Sequence, residues 1–178
     1  MMSQAELEAT WSRGSSRPDR GTIELICLRR LDGTHDRPAR AEISLERGLV
    51  GDRWSLAPNP NLEAQVTLME LRVATLIAED RVPLDSPGDN LLVDLDLSVE
   101  ALPIGARVRA GAAILEVTAK PHRGCKKFRE RFGEEVYAWI SEGSNEEGRW
   151  PGRRLRGVNC RVIQAGPVAL LDSIEVLR

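Results

Sequence analysis

Val108-Arg109-Ala110-Gly111-Ala112-Ala113-Ile114-Leu115-Glu116-Val117 reads as two short β-strands folded back on one another. Val108 and Ala110 flank the polar Arg109, an apolar run returns from Ile114 to Val117, and Ala110-Gly111 supplies the place to turn. The same period of two recurs on either side. Ile23, Leu25 and Cys27 share one face, and Ala41, Ile43 and Leu45 alternate with Glu42, Ser44 and Glu46. Leu91, Val93, Leu95 and Leu97 are set against Asp94 and Asp96, Val158, Cys160 and Val162 against Asn159 and Arg161, and Ile174 pairs with Val176 at the end of the chain. Short strands separated by Gly or Pro predict a mainly β protein: a closed, mainly antiparallel β-barrel with a few short α-helices.

Three helices are expected to interrupt this pattern. The first starts at Thr67, which forms a capping box with Glu70 while Val66 staples to Leu71; Met69, Val73, Leu76 and Ile77 supply the apolar stripe. The second begins at Cys125, carries Phe128 and Phe132 four residues apart and ends at Gly133. The third runs from Glu134 to Ser141 and buries Val136, Trp139 and Ile140, after which Glu142 to Gly152 reads as an exposed loop. Residues 1–21 are polar and rich in turn formers, so they read as a mobile extension ahead of a domain covering residues 22–178.

Composition sets the outer limits. With 178 residues, 42% hydrophobic and 29% charged, the chain can bury one sizeable core and is unlike a disordered or fibrous sequence. A net charge of -2 gives no global attraction to nucleic acid or an anionic membrane, so neither is expected as a partner. No stretch has the length of a membrane span or the apolar core of a signal peptide. Three cysteines, Cys27, Cys125 and Cys160, make an odd set without a close pair, which suits a reducing compartment and predicts a cytoplasmic location.

The three cysteines differ in setting. Cys27 and Cys160 fall on apolar faces of strands, where a free cysteine acts as a small buried hydrophobe. Cys125 sits in Pro121-His122-Arg123-Gly124-Cys125-Lys126-Lys127, where neighbouring cations and a helix N-terminus favour the thiolate, the form that attacks electrophiles and ligates metals. An incidental thiol beside a solvated charge run fits the same local sequence. His122 and Cys125 have a two-ligand spacing, but a structural zinc site needs four ligands and neither the other cysteines nor His35 offers a second spaced pair, so zinc is not expected. A protease-like Cys-His pair lacks an identifiable orienting residue. A second basic cluster, Arg149, Arg153, Arg154 and Arg156 around Trp150 and Pro151, can hold an oxyanion or form a solvated loop.

Five segments in a fixed order carry a family resemblance: Gly48-Leu49-Val50-Gly51-Asp52-Arg53, Gln65-Val66-Thr67-Leu68, Gly88-Asp89-Asn90-Leu91, Leu102-Pro103-Ile104-Gly105, and Pro121 to Phe128 with Cys125 at its centre. Together they resemble the MOSC domain, the module named for the C-terminal part of molybdenum cofactor sulfurase. The resemblance extends from about Thr22 to the C-terminus and includes Arg156-Gly157-Val158. It implies a β-barrel-rich fold and an association with the molybdenum cofactor, a pterin dithiolene bearing a phosphate. It passes to Cys125 the role of molybdenum ligand or persulfide carrier, with His122 beside it as a catalytic candidate. Asp52, Arg53, Asn90, Arg123 and Lys126 become cofactor-binding candidates by the same route. Trp54 stands where the family pattern has histidine, Ala57-Pro58-Asn59-Pro60-Asn61 replaces a histidine- and glycine-rich stretch, and Leu171-Asp172 lacks the family's glycine. A molybdenum-dependent oxidoreductase or sulfur transferase is the favoured expectation. Its expected partners are the molybdenum cofactor or a sulfur-donor protein, since the aminotransferase-like module of the sulfurase is missing, and an electron-donor protein. A non-enzymatic carrier of cofactor or sulfane sulfur, and a structural barrel with an idle thiol, are the alternatives.

Overall fold

The computed structural model describes residues 2–144 and 148–178. Its strands are β1 (Arg20–Ile26), β2 (Leu28–Arg29), β3 (His35–Asp36), β4 (Arg40–Ser44), β5 (Gly48–Leu49), β6 (Val66–Glu70), β7 (Leu91–Val93), β8 (Arg107–Ala110), β9 (Ala113–Val117), β10 (Val158–Gln164), β11 (Gly166–Ala169) and β12 (Ser173–Leu177). Its helices are α1 (Gln4–Trp11), α2 (Leu71–Ala78) and α3 (Lys126–Ser144).

Seven strands close a barrel in the order β1-β12-β8-β9-β10-β6-β7, and β1 completes the ring by pairing with both β12 and β7. The hairpin anticipated between Val108 and Val117 is β8–β9, with Ala110 opposite Ala113 and Gly111 in the left-handed region at the turn. All neighbours in the ring are antiparallel except β6 and β7, which run parallel with Leu68 opposite Leu91. A parallel pair needs a crossover, and the segment containing α2 provides it. Strands β4, β5 and β11 form a small separate sheet, and β2 and β3 a short ribbon.

Two apolar clusters follow from this arrangement. One fills the barrel with residues such as Ile23, Leu68, Leu91, Val93, Leu115, Cys160 and Ile174. The other lies between the barrel and the helices and joins Met69 and Leu92 to Val73, Ile77, Phe128, Phe132, Trp139 and Ile140. Successive residues of β6 and β7 therefore feed opposite clusters, and every residue of both strands is buried. A strand covered on both faces loses the alternation that marks a half-exposed one.

That double burial corrects one expectation. Val66 to Glu70 is strand, not the first turn of a helix, and Thr67 caps nothing: its hydroxyl accepts the Asn90 N–H at 3.0 Å and its own N–H donates to Asn90 Oδ1 at 3.1 Å. The helix itself exists and starts at Leu71, without a side-chain cap. The two-part reading of α3 agrees with the structure: Gly133 has φ 82° and ψ 175° and breaks the helix between Phe132 and Glu134. The helix continues to Ser144, into the stretch read as loop, while residues 145–147 of that stretch lie outside the described residues.

The opening segment is also different from a mobile extension. Ser3 and Glu6 form a capping box, α1 follows, and its Leu7 is fully buried against the helical cluster. Glu8 accepts hydrogen bonds from Trp139 Nε1 at 3.2 Å and Arg153 Nη1 at 2.7 Å, fastening α1 to α3 and the loop beyond. Arg20 and Gly21 already belong to β1. With Leu7 its one fully buried residue, α1 has no apolar stripe to betray it in the sequence.

Two stability measurements check these points. Leu7→Ala is expected to lower the free energy of unfolding by about 2–5 kcal/mol in urea titrations, the usual cost of an emptied core position, whereas a mobile extension predicts no change. Glu70 is buried and accepts hydrogen bonds from the Ser16 hydroxyl at 2.7 Å and the Leu97 N–H at 3.2 Å; burial outweighs these bonds and raises its pKa above the ordinary 4.5. Its folded state thus binds a proton more readily than the unfolded chain, and its contribution to stability falls as pH rises through that range. The stability of Glu70→Gln relative to the parent should therefore increase from acid toward neutral pH; a pH-independent difference contradicts the assignment.

Candidate functional site

Cys125 is exposed and immediately precedes α3, where its carbonyl accepts the Arg129 N–H at 3.1 Å. The first turn of α3 thus follows the thiol as the sequence implied. Gly124 gives the preceding position room, since a Cβ there would meet the Tyr137 ring at 3.0 Å. A cavity of about 740 Å³ opens beside the loop, with Lys120, His122 and Arg123 along one wall and Arg154, Asn159 and Ile104 among its other lining residues. Cys125 lies two residues beyond Arg123 and is not itself part of this lining.

The basic neighbours of Cys125 have separate destinies. His122 turns inward, its side chain only 13% exposed, and its Nδ1 lies 3.5 Å from Asp89 Oδ1 without forming a hydrogen bond. Burial first, then the positive field of Arg156, push its pKa down to about 3 against the opposing pull of Asp89, so the imidazole is neutral at physiological pH. Lys126 extends into solvent beside Glu130 at 3.7 Å. Arg123 is exposed at the cavity wall.

Asp52 and Asn90 are buried in a knot of their own. Asp52 accepts from the Arg29 backbone N–H at 2.8 Å, from Arg29 Nε at 2.9 Å and Nη2 at 2.7 Å, from the Trp54 N–H at 2.9 Å, and from Asn90 Nδ2 at 3.2 Å. Despite the desolvation that opposes ionisation, these bonds hold its pKa below the usual carboxylate range. Both side chains spend their capacity within the protein, and neither lines the cavity. Arg53 is half-buried in the adjoining turn and is likewise outside that lining.

Within the second basic cluster Arg149 and Arg153 share the Trp150 ring, while Arg153, Arg154 and Arg156 take separate partners. Arg153 joins Glu8 and stacks over Trp11, with its guanidinium carbon 4.3 Å from the ring centre. Arg154 donates to the Leu102 carbonyl at 2.6 Å and reaches the cavity. Arg156 is buried, pairs with Asp89, donates to the Pro87 carbonyl at 3.0 Å and lies 5.0 Å above the Phe128 ring. Sequence reasoning identified none of Arg29, Asp89, Lys120 and Asn159 as site residues. Asp89 belonged to a quoted motif, but its pairing with Arg156 spans 67 residues and has no local signature.

The cavity wall brings cationic and amide donors together, which suits an oxyanion-bearing ligand, and the exposed sulfur two residues beyond Arg123 is of a kind that ligates soft metals. One pH measurement tests the electrostatics. As pH falls from about 6.5 toward 3, the unfolded chain takes up a proton that buried His122 does not, so stability should decline by up to about 1.4 kcal/mol per pH unit. His122→Gln should remove that part of the slope in urea unfolding between neutral pH and pH near 4; an unchanged slope means the ring is not held neutral.

No curated protein matches the chain. Solved structures similar to it include the YuaD protein of Bacillus subtilis, at 17% identity and a TM-score of 0.61 over 88% of this chain and 95% of that one. YiiM of Geobacillus stearothermophilus is 14% identical, with a TM-score of 0.61 over 89% of this chain and 75% of its own. YiiM of Escherichia coli is 16% identical, with a TM-score of 0.57 over 88% and 70%. At these identities the similarity is one of fold. The MOSC domain matches residues 63–175, more than half of the chain and inclusive of the cysteine loop, and with the barrel in place the chain belongs to the MOSC domain family.

Proposed function

We propose that this protein binds molybdenum or the molybdenum cofactor through the Cys125 thiolate and acts in molybdenum-dependent oxidoreduction or sulfur transfer. The observation that carries the reading is the placement of Cys125: exposed, ahead of the first turn of α3, on the loop whose preceding residues wall a cavity of about 740 Å³. The donor set fits the cofactor. Arg123, Lys120 and Arg154 can hold a phosphate or other oxyanion by charge-assisted hydrogen bonds, Asn159 can orient it, and the thiolate is a soft ligand. The bound cofactor supplies a redox-active metal that no side chain can replace.

The chain's own residues bind, orient and hold protons. Neutral His122, with its Nδ1 toward Asp89, is no permanent cation at the cavity. Asn90 is bonded to Thr67, which lies opposite the lining residue Asn159 in the β6–β10 pairing. The exposure of Cys125 also favours a second use, as a carrier that hands cofactor or sulfane sulfur to a partner, because an exposed sulfur can be reached by another protein.

Elemental analysis and mass spectrometry of protein produced with molybdate provide the test. Wild type is expected to retain molybdenum, a pterin or a persulfide adduct, and Cys125→Ser to lose it. Equal, near-zero retention in both overturns the proposal. Catalytic reduction of an N-hydroxylated compound with an electron donor then identifies an enzyme, and stoichiometric loading and transfer a carrier.

A further inference from the structure

We propose that Cys27, His35 and Asp85 form a zinc site, with residues distinct from those of the Cys125 loop. One ligand atom from each of the three lies within 4.8 Å of the other two, and this is the one such group of three among the described residues. They come from three separate pieces of chain. Cys27 occupies the junction of β1 and β2, His35 lies on β3 in register with Arg29 of β2, and Asp85 belongs to the loop between α2 and β7. Spacing along the chain therefore offers no pair of ligands to recognise, which is why the sequence spoke against zinc.

Each ligand is held in place. The Cys27 N–H donates to the Asn90 carbonyl at 2.8 Å and its own carbonyl accepts Asn90 Nδ2 at 3.3 Å, which fixes the backbone that carries the sulfur. His35 Nδ1 is 3.1 Å from Asp85 Oδ2, and the two side chains are only 13% and 6% exposed. The Asp85 carbonyl accepts the Gly88 N–H at 2.9 Å, closing the turn beneath the carboxylate. The set of one sulfur, one imidazole nitrogen and one carboxylate oxygen suits zinc, whereas calcium and magnesium prefer oxygen alone.

The dimensions are compatible. Zinc about 2.3 Å from sulfur and about 2.0 Å from nitrogen and oxygen keeps its ligand atoms roughly 3.3–3.6 Å apart. Rotations of side chains by on the order of 1 Å reach that from the present arrangement. Three protein ligands leave a fourth position open, the pattern of a reactive rather than a purely structural zinc. Binding replaces the Cys27 thiol proton by the metal, and that proton passes to solvent.

Arg37 is the present counter-charge, with its Nη2 2.8 Å from Asp85 Oδ1. Its side chain is 51% exposed, so it can swing into water as the metal takes the carboxylate. Asp85 is four residues from Asp89, and the same loop thus reaches both this cluster and, through Asp89, His122 and Arg156.

Cobalt(II) is the probe, because a thiolate bound to it gives a charge-transfer band in the near ultraviolet and a tetrahedral site gives strong visible bands. The full chain is expected to bind one cobalt ion with both features and to release it to zinc. Cys125→Ser should keep both features, Cys27→Ser should lose the charge-transfer band, and Arg37→Ala, which removes a half-exposed competitor, should bind more tightly. Circular dichroism on each variant, with Asp85→Asn as a second ligand deletion, separates loss of the site from loss of the fold. Absence of a thiolate band in the wild type, or its loss in Cys125→Ser with retention in Cys27→Ser, overturns the proposal. Molybdenum retention is read independently of these spectra.

Discussion

Asn90 holds together parts of the chain that nothing local would bring near one another. Its N–H and Oδ1 engage Thr67 of β6, its carbonyl and Nδ2 engage Cys27 at the end of β1, and the same Nδ2 reaches Asp52 at the start of the following turn. The side chain is fully buried, so each of these bonds forms where water cannot substitute for it. Asp52 adds a negative charge to the same spot and Arg29 balances it bidentately. A buried charge is tolerable only when paired and fully hydrogen-bonded, and this one is.

From Asn90 the constraint spreads in both directions. Forward, β7 starts at Leu91 and runs parallel to β6, so the register Leu68–Leu91 follows from the Thr67–Asn90 bonds beside it. Backward, Asp89 pairs with Arg156 just ahead of β10, and Arg156 lies over Phe128 in the first part of α3. Gly157 permits this approach: its φ is 89°, and a Cβ there would sit 2.0 Å from the Leu68 carbonyl oxygen. Arg156 thus ties the first part of α3 to the segment ahead of β7, and His122 lies inward beside the same carboxylate.

The helical layer has an equally plain origin. Met69 and Leu92 point out of the barrel and would be exposed apolar surface if nothing covered them. α2 and α3 cover them, and α1 packs against both, with Leu7 in their shared cluster and Glu8 bonded to Trp139. Among the described residues no helix is long and apolar enough to cross a membrane, in keeping with helices whose apolar faces are consumed by the barrel.

Period-two alternation of apolar and polar residue types made β1, β4, β10, β12 and the β8–β9 hairpin legible, and in β1, β4 and β8 it matches a buried face set against a wetter one. Charge and glycine placement singled out the Cys125 loop for a similar reason: its signals lie within a few residues of one another. Strand β6 escaped, since burial on both faces erases its alternation and Thr67 followed by Glu70 imitates a helix start. α1 escaped because one leucine makes no stripe. Partnerships that span dozens of residues were beyond local reading altogether. Among these are Arg29 with Asp52, Asp89 with Arg156, the separation of Arg153, Arg154 and Arg156, and the meeting of Cys27 with His35 and Asp85. Residue types and their short-range spacing express local propensity, which the chain carries wherever it goes. Which polar groups finally face one another is set by barrel closure, since only then do remote segments share a dry interior in which each must find a partner.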